Sequence, residues 1–224
     1  MNVLVACEES QTVCKAFRAK GHKAFSCDVQ RPSGGHPEWH ILGDATLLLK
    51  SRDIVFNTLD GTEHVVPKWD LLIAHPPCTY LSNAGARHLW KGHTLNQERF
   101  ALGLEAKSFF LTFLNAPVER ICVENPVPSR VYELPKYDQI IQPYMFGHPY
   151  TKRTCLWLYG LPDLKPTNIV EPVATLCPSG SHSHKHGEKH RGMFTKDRAR
   201  MRSKTFSGIA EAMAEQWEVR HDWN

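Results

Sequence analysis

The sequence predicts an α/β protein, a Rossmann-like, mostly parallel sheet flanked by helices. Three observations carry this. Short apolar runs alternate with segments of helical period, as in successive βαβ units. Those runs end on polar residues (Cys7-Glu8-Glu9-Ser10, Asp28, Asp44, Cys78 and Glu124-Asn125), as strands do when their carboxyl ends share one ligand-holding edge. One run, from Asp70 to Cys78, stops on Pro76-Pro77. Each proline locks its own φ and restricts the residue before it, so the thiol that follows is presented on a stiff backbone.

The elements follow in order. Asn2–Ala6 reads as a strand. Gln11–Ala19 reads as a helix, with Val13, Cys14 and Phe17 on one side and Gly21 just past its end. Ala24–Cys27 is a second strand, closing on Asp28. Residues 31–40 are a loop by their Pro and Gly content. His40–Leu42 is a short strand before Gly43-Asp44, and residues 45–52 read as helical. Asp53–Pro67 reads as a hairpin turning at Asp60-Gly61. Leu71–Ala74 is the strand before Cys78. Leu95–Asn115 is the longest helix, with Phe100, Leu104, Phe109, Leu111 and Leu114 as its apolar side. Ile121–Val123, Gln139–Gln142 and Thr154–Tyr159 are further strands. Residues 160–205 lack periodicity. Thr205–Glu218 is a closing helix with Phe206, Ile209, Met213 and Trp217 on one face.

Composition bounds the reading. A chain of 224 residues with 42% hydrophobic and 22% charged residues suits one soluble domain. No apolar run approaches the roughly 18 residues of a membrane span. The chain opens directly on a strand, so no secretion signal is expected and a cytoplasmic location is. Seven scattered cysteines, an odd number, point to reduced thiols rather than a disulfide framework. The net charge of +4 is uneven. Between residues 181 and 204, eight cations face only Glu188 and Asp197, which predicts a polyanionic partner.

The strand ends suggest chemistry. A rigidly held cysteine at a sheet's ligand edge is a candidate nucleophile, and an acid ending the second strand is placed to take ribose hydroxyls. Cys177, His182, His184, His186 and His190 match no standard zinc spacing and include no Cys-x-x-Cys, so no metal is assigned.

Four segments together resemble the DNA cytosine-5 methyltransferase family. His75-Pro-Pro-Cys-Thr-Tyr-Leu-Ser82 is similar to its Pro-Cys nucleophile motif. Val123-Glu-Asn-Pro126 is similar to its Glu-Asn motif. Phe146–Arg153 resembles the downstream arginine-bearing segment, and Ser207–Ala212 the glycine-containing final motif. The resemblance runs in order from residue 2 to about 218, residues 160–204 apart, and is closest to compact phage and prophage forms. It implies a methyltransferase core over 1–159, a short basic insertion over 160–204 in place of a recognition domain, and a returning helix over 205–224.

The resemblance implies S-adenosylmethionine as cofactor and DNA as partner. Cys78 would add to carbon 6 of cytosine, making carbon 5 nucleophilic. Glu124 would meet ring N3, its pKa raised by burial. Lys152 or Arg153 would stabilise the adduct near O2, because Tyr150-Thr-Lys-Arg-Thr154 replaces the family's Gln-x-Arg-x-Arg. Asn125 would brace its turn. Ser10 lies at the helix start, with Glu8 or Glu9 near the cofactor's amino group. Asp28 would hold its ribose and Asp44 its adenine, and Cys7, Pro76 and Gly208 would complete the wall. The first motif, Ala6-Cys-Glu-Glu-Ser10, departs from the family in having no glycine. Ser82, Lys185, Lys189, Arg191, Arg198, Arg200 and Arg202 would hold nucleic acid. A base within a duplex must be flipped out to reach Cys78. Two other readings stay open. One keeps the chemistry on single-stranded nucleic acid or a free cytosine nucleotide. The other is a nucleic-acid binder that has lost the cofactor.

Overall fold

A computed structural model describes residues 1–86, 88–175 and 204–218. Its strands are β1 (Asn2–Ala6), β2 (Lys23–Asp28), β3 (His40–Leu42), β4 (Ile54–Asn57), β5 (Glu63–Val66), β6 (Leu71–Ala74), β7 (Trp90–Lys91), β8 (Thr94–Leu95), β9 (Ile121–Pro126), β10 (Gln139–Ile141), β11 (Tyr150–Thr151), β12 (Thr154–Tyr159) and β13 (Ala174–Thr175). The helices are α1 (Thr12–Ala19), α2 (Asn83–Ala86), α3 (Gln97–Leu114) and α4 (Ser207–Gln216).

Seven strands form one sheet in the order β10-β12-β9-β6-β1-β2-β3. From β9 to β3 every pairing is parallel, while β12 runs antiparallel to both β9 and β10. The chain builds outward from β1 through β2 to β3, then returns to β1's other side with β6. Strand order therefore reverses between β1 and β6, where the loops leaving the two strands diverge and open a crevice at the carboxyl ends.

The pleat sends alternate residues to two cores. Val3, Val5, Leu71, Ile73, Cys122 and Leu156 pack with Val13 and Phe17 of α1, with Ile209 and Met213 of α4 and with Trp217 just past its end. Leu4, Ala6, Leu72, Ala74, Val123 and Trp157 pack on the other face with Phe110 and Phe113 of α3. This is a three-layer α/β architecture with the sheet buried on both sides, which is why its parallel strands read as unbroken apolar runs. No described helix is long and apolar enough to cross a membrane.

Several expectations are corrected. Residues 45–52 hold only one 3₁₀ turn, Ala45–Leu48, capped by Asp44. The buried side of α3 is Gly103, Phe110 and Phe113, and Leu104 is 46% exposed. This helix is apolar nearly all round at its C-terminal half, so periodicity does not single out a face. A Cβ on Gly103 would overlap the Tyr132 ring, which explains a glycine in mid-helix. The segment after residue 160 contains β13, paired with β11. The zinc-like residues Cys177 to His190, and Lys185, Lys189, Arg191, Arg198, Arg200 and Arg202, lie outside the described residues.

Candidate active site

A cleft of about 730 Å³ opens at the carboxyl edge of β1, β2, β6 and β9. Both Cys78 and Glu124 line it. Cys78 is half-buried, two prolines beyond the end of β6. Pro76 also lines the cleft, and its carbonyl accepts a 2.8 Å hydrogen bond from Asn125 Nδ2. Asn125 thus ties the Pro-Pro-Cys turn to the end of β9, as the sequence suggested. Its Oδ1 is buried with no hydrogen-bond partner among the described residues.

Glu124 is the centre of a buried charged cluster. His75 Nδ1 and Glu124 Oε2 are 2.7 Å apart, and the two side chains are only 11% and 12% exposed. The Thr205 hydroxyl also donates to Glu124, and the Lys152 ammonium lies near it. Burial alone would raise the Glu124 pKa. The hydrogen bond from His75, the Lys152 charge, the His75 charge and Thr205 outweigh burial and hold the pKa at about 2. The expectation of a raised Glu124 is therefore corrected: its partners win, and it is a carboxylate at neutral pH. Burial lowers the His75 pKa, but the hydrogen bond and charge of Glu124, with Glu8, raise it overall. Each partner favours the charged form of the other.

Lys152 is buried and lines the cleft. Arg153 is exposed and does not line it. Register explains the split. Leu156 pairs with Glu124 across β12 and β9, so every second residue back, Thr154 and then Lys152, faces Glu124's side. Arg153 instead lines a groove on the other face, with Arg130, Lys136 and Tyr137.

Another part of the cleft wall carries acids, of which Glu9 lies 3.9 Å from Lys204. Glu9, Asp28 and Asp44 line it with Cys7, Ser10 and Glu8. Glu8 is buried and caps α1, accepting from Val13 N–H at 2.6 Å and Cys14 N–H at 3.2 Å. Burial raises its pKa against those bonds and His75. Ser10 Oγ accepts from Thr12 Oγ1 at 3.1 Å. Asp28 Oδ1 takes the Gln30 N–H at 2.8 Å, and Asp44 Oδ1 the Thr46 N–H at 2.9 Å. Cys7 takes φ +58°, a left-handed turn ordinarily given to glycine. The glycine-free loop therefore makes its turn with a cysteine. Burial, with Asp28, Cys27 and Asp44 nearby, pushes the Cys7 thiol up, so it is not a nucleophile.

Two expected site residues lie elsewhere. Gly208 is absent from the cleft wall. It sits at the start of α4, where a Cβ would overlap the Phe146 carbonyl, and its N–H donates to His148 Nε2 at 3.0 Å. Ser82 is buried, and its Oγ accepts from Gly85 N–H at 3.2 Å, so it braces the turn after Cys78. Conversely, the sequence assigns no role to His75 or Thr205, and gives Lys204 only a place in the basic segment 181–204. Lys204 lines the cleft and binds Ser33 Oγ at 3.0 Å. The signal for His75 was present, as it begins the His-Pro-Pro-Cys run.

The cleft's chemistry is a test for the cofactor. S-adenosylmethionine carries a sulfonium and an ammonium, and its ribose and adenine offer hydroxyl and amino donors. A cleft of this volume with Asp28 and Asp44 on its wall, and Glu9 paired with Lys204, offers acceptors that fit the ribose and adenine donors of such a molecule.

No family model matches the chain, and no curated protein matches it. Among similar solved structures is one described as a candidate DNA modification methyltransferase encoded within a prophage, from E. coli. It aligns with a TM-score of 0.41 at 14% identity, covering 79% of this chain and 53% of that one. The chain spans about half the length of that structure. At this level the likeness carries no argument, and the reading of this site rests on its own geometry.

Proposed function

We propose that the protein is a methyltransferase that modifies carbon 5 of cytosine in DNA, with Cys78 as covalent nucleophile and S-adenosylmethionine as methyl donor. The observation that supports this reading is that Cys78 and Glu124, from the ends of two adjacent strands, line one cleft that Asp28 and Asp44 also line. A pyrimidine between sulfur and carboxylate would meet both at once. The Cys78 thiolate would add to carbon 6, and the ring's electron pair would shift toward N3, the atom that Glu124 would face. Lys152, buried in the cleft wall, would face the developing negative charge. Asp28 and Asp44 would hold the cofactor's ribose and adenine, with Glu9 toward its ammonium. Bound there, S-adenosylmethionine supplies an electrophilic methyl group.

The separate groove lined by Arg130, Lys136 and Arg153, with Glu133, offers cations to a polyanion on the other face of the sheet. Such cations hold phosphates and carry little sequence information. The reading is tested by incubating the protein with methyl-labelled S-adenosylmethionine and, separately, duplex DNA, single-stranded DNA and deoxycytidine nucleotides. Label in duplex DNA as 5-methylcytosine is expected. Label confined to single strands or nucleotides moves the substrate to those classes. No label in any arm, with no cofactor binding by calorimetry, contradicts the enzymatic reading.

A further inference from the structure

We propose that His75 is a positioning residue and proton store for Glu124, a role that rests on the proposed reaction. The two side chains meet at 2.7 Å, each nearly buried, at the ends of β6 and β9. The parallel pairing ends at Ala74↔Val123, and His75 and Glu124 are the next residue on each chain, which brings them opposite each other. Acidic and basic side chains alternate through the cluster. Glu8, from the loop before α1, faces His75, and Lys152, from the loop before β12, faces both members of the pair. These are the charged groups turned toward His75. Its other ring nitrogen, Nε2, is buried without a hydrogen-bond partner among the described residues. The ring is therefore oriented through Nδ1 and Glu124.

The arrangement answers a chemical difficulty. An ionised Glu124 has no proton to give to ring N3. The imidazolium beside it does. As the Cys78 thiolate forms its bond to carbon 6, the π pair moves through carbons 5 and 4 to N3. The Nδ1 proton of His75 first passes to Glu124 Oε2, making Glu124 a neutral acid, and that proton then passes to N3. Glu124 is a carboxylate again, and His75 is neutral. Once carbon 5 carries the methyl group, N3 is part of an iminium and its proton returns through Glu124 to His75; a water molecule then takes the hydrogen of carbon 5 as the carbon 5–carbon 6 double bond re-forms and the Cys78 thiolate leaves.

The test uses the full chain and two readouts. Nitrogen-15 NMR of the imidazoles is expected to show His75 charged at pH 7, and its titration is expected to fall by roughly one unit or more in Glu124→Gln. His75→Gln is expected to slow methyl transfer about 10²-fold, the scale of a lost acid–base partner, with unchanged cofactor affinity. Wild-type activity should fall as pH rises through the His75 titration, and the variant should lack that limb. A neutral His75 at pH 7 overturns the proposal whatever the activity. A His75→Gln enzyme with wild-type rate and pH profile also overturns it. If that variant does not fold, a wild-type profile with no limb at the His75 titration does so. A wild-type protein without methyl transfer defeats the proposed reaction instead, and the NMR still decides the pairing.

Discussion

Lys152 and Arg153 are adjacent in the chain and serve opposite faces of the sheet. Lys152 lines the cleft with Glu124, and Arg153 lines the groove with Arg130. The two cations should therefore fail differently. Lys152→Met is expected to lower the methyl-transfer rate by about 10²-fold or more, as loss of a preorganised charge does. Arg153→Met should leave the rate at saturating DNA near wild type and weaken DNA binding, reducing the salt-dependence slope by about 1. Single-turnover rates and binding isotherms over a salt series check both.

The His75–Glu124 pair should shape stability against pH. Glu124 is held below its ordinary value of 4.5, at about 2, so its contribution is complete above pH 4.5 and lost as pH falls toward 2. His75 is held above its ordinary 6.5, so its contribution is complete below pH 6.5 and lost as pH rises through its folded value. The pair stabilises most between those two ordinary values. The Glu124 share is on the order of 3 kcal/mol. Urea unfolding at pH 3, 5 and 7 should show a steep acid loss in wild type and a shallower one in Glu124→Gln. Equal acid slopes would contradict the assignment.

Gly208 tests a packing role against a ligand role. Gly208→Ala forces a Cβ against the Phe146 carbonyl, so α4 must shift. A loss of about 1–3 kcal/mol is expected, the usual cost of overpacking. Calorimetry on the folded fraction should find cofactor affinity unchanged. A selective loss of affinity at wild-type stability would restore Gly208 to the cofactor site.

What the sequence revealed follows from how directly each feature is written in it. The parallel strands were legible because burial on both faces makes each an apolar run, and their polar ends mark the ligand edge. Cys78, Glu124, Asp28 and Asp44 were found this way, and the structure brings all four to one cleft. The buried face of α3 was not legible, because Phe109, Phe110, Leu111, Phe113 and Leu114 leave no polar side to define it. Lys152 could not be separated from Arg153 without the antiparallel register of β12 on β9. His75 was overlooked because its partner lies 49 residues away. The same omission misdirected the Glu124 pKa, since burial without the neighbouring His75 and Lys152 points the wrong way.

The central claim is that Cys78 forms the covalent adduct through which a methyl group reaches carbon 5 of cytosine. Mass spectrometry of nucleosides from DNA treated with S-adenosylmethionine and either wild-type or Cys78→Ser protein tests it most directly. The account predicts 5-methylcytosine with wild type and none above background with the variant. Undiminished 5-methylcytosine with Cys78→Ser, or a methyl group found on the exocyclic nitrogen instead, would contradict it.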